Sequence, residues 1–187
     1  MNSELYNILH NFFGGNEELV NDLLPKWDAY VSIKRNDVLI HFGSKEDYIY
    51  FIQTGTCVIS YPDEDEDKIV GFGYPNTFLF SPSILNDQPS DQEVKAIKKM
   101  ELLRIHKTVF FDAIELSIHA KNSWTKQLEN LLIAQIDRQV DLLITSPQKR
   151  YKRLLKRSPH VFQFIPQKYI ASYLRMSPET LSRLQNS

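Results

Sequence analysis

The chain has a single cysteine, Cys57, in 187 residues. That excludes an internal disulfide, a CxxC redox pair and a four-cysteine metal cluster within one chain. Lying in the apolar run TCVIS, Cys57 is expected to be a buried strand residue. Long hydrophobic runs are lacking too, so no transmembrane helix and no membrane contact are expected. The N-terminus, MNSELYNILHNFF, has neither a basic start nor a cleavage-type segment, which leads us to expect a cytoplasmic protein. The motifs GxxxxGK[ST], GxGxxG and GxSxG are all missing, so phosphate-loop, dinucleotide and hydrolase chemistry have no anchor. The five histidines, His10, His41, His106, His119 and His160, form no HxH or HxxxH pair. A cupin-type metal site needs His and Glu ligands converging in a barrel, and nothing in this pattern supplies them. The expectation is a protein without metal or cofactor, and not an enzyme.

An excess of one charge is lacking overall, since the net charge is −1, but the distribution is uneven. From Pro147 to Ser187 there are nine Lys/Arg and one carboxylate, Glu179, giving +8, while residues 1–146 carry −9. An acidic body with a basic end is the electrostatic footprint of a protein whose small end meets a phosphate backbone. A solvated basic helix is the alternative.

What is present is a sequence of periods. Residues 3–24 carry Leu5, Ile8, Leu9 and Phe12 at helical spacing, a break at Gly14-Gly15, and a second turn ended by Pro25, together read as a helical lid. From Trp27 to Ile105 the period becomes two. The runs Ala29–Ile33, Asp37–Ile40, Tyr48–Gln53, Thr56–Tyr61, Lys68–Phe72, Thr77–Phe80, Glu93–Ala96 and Glu101–Ile105 are rich in Val, Ile, Tyr and Phe and are separated by turn residues. Eight such strands predict an antiparallel jelly roll within an α+β chain. The acidic run Asp63–Asp67 lacks the glycine and ligand spacing of a calcium loop and is read as a solvated hairpin tip.

After Ile105 the helical period returns, leading into a long helix over residues 122–145. One line on it holds Trp124, Leu128, Leu131 and Leu142, with Gln135 between them, and another holds Leu132, Ile136, Val140 and Leu143. Two apolar lines need two surfaces, one on the roll and one on something else, for which a symmetric partner is the natural candidate. Burial of both lines within one chain is the alternative. Ser146-Pro147 then opens a basic helix with Tyr151, Leu154 and Leu155 expected inward. Val161–Ile165 reads as an extended link. The parts divide at 1–121 (roll with lid), 122–146 (dimerisation helix) and 147–187 (C-terminal head).

The end of the chain, IPQKYIASYLRMSPETLSRLQN, holds two helical patterns, Gln167–Leu174 and Pro178–Leu184, joined by Arg175-Met176-Ser177. Ser177 is a good N-cap, Pro178 suits the first helical position and Glu179 suits the positive end of the dipole. With the small Ala171 at the crossing, this is a helix-turn-helix pattern. An ordinary helical hairpin would share it.

Lid, roll with DYIYFIQTGTCVIS, long helix, basic helix and PQKYIASYLRMSPETLSRL follow one another in an order that resembles the Crp/Fnr family of bacterial transcription regulators. The likeness is to its shorter members, which end soon after the recognition helix and have no β-hairpin wing. It spans essentially the whole chain. It implies a cyclic-nucleotide-binding-type sensor, a homodimer joined by the long helix, and double-stranded DNA as partner. The operator would be a pseudo-palindrome with half-sites roughly 34 Å apart. The missing wing would reduce affinity more than specificity, because wings mostly touch the backbone.

Two departures qualify the likeness. Nucleotide-binding members hold the ribose with Gly-Glu and the cyclic phosphate with Arg-Ser/Thr-Ala. Aligned on Val94-Lys95-Ala96, this chain has Phe80-Ser81-Pro82 and Ser90-Asp91-Gln92 there, and Asp87 and Glu93 add negative charge. A serine flanked by aspartate cannot replace a guanidinium on phosphate, so cyclic AMP is not the expected effector. Phe72, Phe78, Phe80, Ser81, Ser90 and Asp91 are the candidate pocket for some other small molecule, although the phenylalanines suit core packing equally. One cysteine likewise removes the iron–sulfur variant. The second departure is Arg175 in the turn where glycine is usual, a placement that costs about 1 kcal/mol if φ is positive.

By resemblance and by chemistry, Arg183 would donate to guanine and Glu179 accept from a cytosine amino group, with Ser182 beside them. Gln167, Arg175, Ser177 and Thr180 are candidates for phosphate contacts. A plain i,i+4 surface pair between Glu179 and Arg183 is the alternative. A sensor or scaffold dimer that has lost DNA binding is the competing function.

Overall fold

The structure, a computed structural model, describes residues 3–27, 29–63 and 67–186. Two helices, α1 (Ser3–Phe12) and α2 (Glu17–Leu23), and a short 3-10 turn at Leu24–Lys26 precede the strands. Gly14 and Gly15, both at positive φ, make the break between α1 and α2. The strands are β1 (Ala29–Ile33), β2 (Val38–Ile40), β3 (Tyr48–Thr54), β4 (Cys57–Tyr61), β5 (Lys68–Gly73), β6 (Thr77–Leu79), β7 (Glu93–Ala96) and β8 (Met100–His106), with a short helix α3 (Ser83–Asn86) between β6 and β7. They form two four-stranded antiparallel sheets, ordered β1-β8-β3-β6 and β2-β7-β4-β5, so the expected jelly roll is the observed fold. The middle of the acidic run, 64–66, lies outside the described residues.

Strand alternation sorts the side chains into two cores. Tyr50 and Ile52 of β3 face the roll interior with Cys57, Val94, Met100 and Leu102. Ile49 and Phe51 face outward into a second core made with Leu5, Leu9, Trp27 and Phe110, which is how the lid is attached. Burial pushes the Cys57 thiol up to about 12, consistent with an inert interior residue. Gly55 sits at φ +86, and a Cβ there would fall onto the Lys99 carbonyl, so the β3–β4 turn requires glycine.

Five further helices complete the chain after a short α4 (Lys107–Glu115): α5 (Ile118–Leu143), α6 (Pro147–Arg157), α7 (Val161–Phe164), α8 (Gln167–Tyr173) and α9 (Pro178–Gln185). The long helix begins earlier than its apolar lines suggest, because Ser117 caps it by accepting from the Ala120 N–H. Two local expectations are corrected. Val161–Phe164 is helical rather than extended, since Val161 and Ile165 both enter the head's core, a four-residue spacing that a helical turn satisfies. Leu155, expected inward, is 39% exposed because Leu154 takes the core position.

Candidate nucleic-acid interface and sensor cassette

The head is built around Leu154, Ile170, Ala171, Leu174 and Leu181, all nearly inaccessible. Ala171 at the crossing lets α8 and α9 approach, as its position in the sequence suggests. Ser177 caps α9 by accepting from the Thr180 N–H at 3.2 Å. The carboxyl of Glu179 is held below its ordinary range by its own backbone N–H and the Ser177 hydroxyl, so it is an ionised acceptor at neutral pH. Glu179 and Arg183 are exposed, and Ser182 and Thr180 are half-buried beside them. Arg183 Nε lies 3.5 Å from the Glu179 carbonyl oxygen, one turn below it. Of the outlying candidates, Gln167 donates to Gln185 and thereby closes the two helices on each other.

The turn keeps the backbone that glycine would adopt: Arg175 has φ 52. What holds it there is Arg150, a buried guanidinium on α6. Its Nε donates to the Leu174 carbonyl at 2.7 Å, Nη2 to that of Arg175 at 2.9 Å, and Nη1 to those of Ile144 and Thr145. Sequence reasoning counted Arg150 as part of a basic footprint. It is a structural brace, and the signal that could have revealed it is its place among Leu154 and Leu155 on an amphipathic helix. Arg153 and Arg157 are likewise engaged, with Asp137 and Asp141. Lys149, Lys152, Lys156, Lys168 and Arg175 of the basic segment remain on the surface or at its edge.

The head docks on the roll. Phe72 of β5 packs on Tyr173 of α8 with ring centroids 5.2 Å apart, and Tyr74 stacks on Phe164 at 5.9 Å while its hydroxyl lies 2.7 Å from His160 Nε2. Beside this contact is a cleft of about 930 Å³ between roll, α5 and head, lined by Lys68, Lys95, Arg138, Lys168 and Arg175 with the Asp67 carboxylate.

The six candidate pocket residues are not brought together. Phe72 belongs to the contact with the head, on the outer face of its sheet. Phe78 is in the lid core with Trp27, Phe51 and Phe110. Phe80 lies against Trp124. Only Ser81 and Ser90 meet, and they satisfy each other: Ser81 Oγ donates to Ser90 Oγ at 3.1 Å, and Ser90 Oγ donates to the Gln92 carbonyl at 2.8 Å. Both are buried. Asp91 is exposed, and Asp87 pairs with Lys45 and Lys107, which hold its carboxyl below the usual range.

On α5 the roll covers only the first turns. Trp124, expected at a dimer seam, packs against its own chain through Phe80, Phe110 and Phe111. Beyond it both apolar lines are open: Leu128, Leu131, Leu132, Ile133, Ile136, Val140, Leu142 and Leu143 are between 37% and 82% exposed, and Gln135 is exposed among them. Neither line is buried within the chain. Among the described residues no helix is long and apolar enough to cross a membrane, and no group of His, Cys, Asp and Glu is placed to hold a metal.

Residues 30–117 match the cyclic nucleotide-binding domain family. The matched segment takes in the roll and α4, and leaves α5 and the head outside it. No curated protein matches the chain by sequence. Solved structures match it over most of its length. FixK2 from Bradyrhizobium japonicum aligns with TM-score 0.69 and 18% identity, over 84% of this chain and 82% of that one. A CooA mutant from Carboxydothermus hydrogenoformans gives TM-score 0.68 and 12% identity, over 87% and 77%. The catabolite activator protein of Thermus thermophilus gives 0.58 and 17%, over 94% and 85%. These likenesses establish the fold alone: a jelly roll followed by a long helix and a helical head.

Proposed function

We propose that the chain is a dimeric, cytoplasmic transcription regulator of the Crp/Fnr type that reads double-stranded DNA with α9 and does not respond to cyclic AMP. The observation that carries the reading is the pairing of two exposed surfaces. A row of exposed leucine and isoleucine runs along α5, and a capped helix at the far end presents Glu179, Ser182 and Arg183 outward. Two copies joined along α5 would present two such helices related by a two-fold axis, which is the arrangement that reads a pseudo-palindrome in successive major grooves. Arg183 is the base reader and Glu179 its acceptor neighbour, while Ser177, Thr180, Gln167 and Arg175 face the phosphates. The segment 80–92 contains no arginine to pair a cyclic phosphate, and its Ser81 and Ser90 are bonded to each other.

A mobility-shift assay with duplex from the protein's own promoter region, run at two salt concentrations, tests this. A retarded complex that survives competition by random duplex is expected, weakening with salt as phosphate contacts require. A dimer in solution with no shift at either salt would leave a sensor or scaffold and defeat the DNA-binding reading.

A further inference from the structure

Asp141 is the one carboxylate among the described residues with no accessible surface. It sits in the last turn of α5, where a helix surface that is otherwise exposed has no need of a buried charge. Its Oδ1 accepts from Arg153 Nε at 2.6 Å and its Oδ2 is ion-paired with Arg157, both on α6. Arg153 makes a second bond, from Nη2 to Asp137 Oδ1 at 2.9 Å. Asp137 and Asp141 are four residues apart on α5, and Arg153 and Arg157 are four apart on α6. Two i,i+4 pairs of opposite charge therefore interlock across the link Ile144–Ser146, which is the shape of a register device more than of a surface ion pair. A third element joins through Arg138, whose guanidinium lies 3.8 Å from the centroid of the Tyr173 ring on α8. Within the head, Arg150 already fixes α6 to the turn between α8 and α9. Its Nη1 also holds the Ile144 and Thr145 carbonyls of the link, and the interlock centred on Asp141 is the second tie across the joint between α5 and α6.

We propose that Asp141 is a positioning residue whose paired charge sets the angle between the dimerisation helix and the reading head. A buried charge is costly unless its partners are held in place, so angles at which Arg153 or Arg157 leaves the carboxylate are disfavoured, in addition to the hold of the head's contact with the roll. In a dimer joined along α5 this angle fixes the separation and tilt of the two α9 helices, a consequence that rests on the DNA-binding reading above. The angle itself does not.

Two variants of the full chain test it. Asp141→Asn keeps the shape and one acceptor oxygen but removes the charge, and Arg153→Gln breaks the interlock while leaving the Asp141–Arg157 pair. Nitroxides are placed on exposed Gln127 of α5 and Lys156 of α6, with labelled chain diluted into unlabelled chain so that each distance is within one protomer. Buried Cys57 stays unlabelled. The parent gives one narrow distance, and both variants broaden or shift it. An unchanged distribution in both overturns the proposal, and if Asp141→Asn does not fold, Arg153→Gln decides. The second readout uses a half-site selected from random duplexes. Each variant keeps its affinity for one half-site and loses the two-headed advantage on paired half-sites, which is on the order of 10²–10⁴-fold. Equal losses on single and paired sites would mean a merely structural role and would also overturn it. If the parent binds no DNA, the regulator reading fails, and the spin-label distances alone judge Asp141.

Discussion

Two short segments, 81–92 in the roll and 177–183 in the head, use the same side chains to opposite ends. In the first, Ser81 and Ser90 are buried and bond to each other and to the Gln92 carbonyl, so their hydroxyls are consumed by the fold. In the second, Ser177 is consumed as a cap, but the cap's effect is to hold Glu179, Ser182 and Arg183 outward on a supported helix. Polar groups that satisfy one another inside are structure. Polar groups held outward by a rigid support are available to a partner. The difference also shows two ways of holding a segment: 81–92 closes on itself through its serine hydroxyls, whereas the turn before α9 keeps a positive φ at Arg175 because Arg150 braces it from α6.

The comparison can be broken at five points, in order of expected size. Replacing Arg150 with Ala strips four carbonyls of their donor, and the head should lose about 3–5 kcal/mol, read by chemical denaturation followed at the tyrosines of α8. An unchanged midpoint would mean that the turn supports itself. Glutamate at both Leu131 and Leu132 puts charge into the exposed row on α5 and should weaken dimer association by roughly 2–4 kcal/mol, measured by sedimentation-equilibrium ultracentrifugation. A dimer of undiminished strength would move the seam elsewhere.

Arg183→Ala should cost about 1–3 kcal/mol on the selected site and almost nothing on random duplex, whereas Lys152→Ala should weaken both and lower the salt slope by about 1. Equal losses for Arg183→Ala would remove it as a base reader. Ser90→Ala should cost about 1 kcal/mol in thermal stability and leave cyclic AMP binding undetected by titration calorimetry, as in the parent. Micromolar binding by the parent would reopen the cassette. The smallest effect belongs to Arg175→Gly, which should stabilise the head by about 0.5–1 kcal/mol by relieving the positive φ, with a slightly lower salt slope if its guanidinium meets phosphate.

Much of this was legible before any coordinates. The two-residue period gave the eight strands to within a residue or two at their ends, because strands half-buried in a roll must alternate. The capped second helix of the head was legible through Ser177 and Pro178, whose preferences are local. Features that depend on distant partners were not. Val161–Ile165 fits both an extended and a helical period, and only the head's core chooses between them. Trp124 reads as part of a seam until Phe80, Phe110 and Phe111, scattered in sequence, are seen to meet it. The basic segment could be counted but not apportioned, since nothing local says that Arg150 caps carbonyls or that Arg153 and Arg157 share Asp141. The start of α5 was the one local signal passed over, in Ser117.

The contact between head and roll has a further consequence. Val58, Ile69 and Ile97 of the roll lie in the same apolar cluster as Leu154, Ile170 and Leu181 of the head. A unit of about forty residues is at the lower limit of what a hydrophobic core can sustain alone, and this one completes its core with a neighbour's strands. Excised at Ser146, the head should melt early or not fold at all, and in the whole chain its unfolding and that of β5 should appear as one calorimetric transition. The segment that sequence divides off as a domain is, energetically, the last layer of the roll.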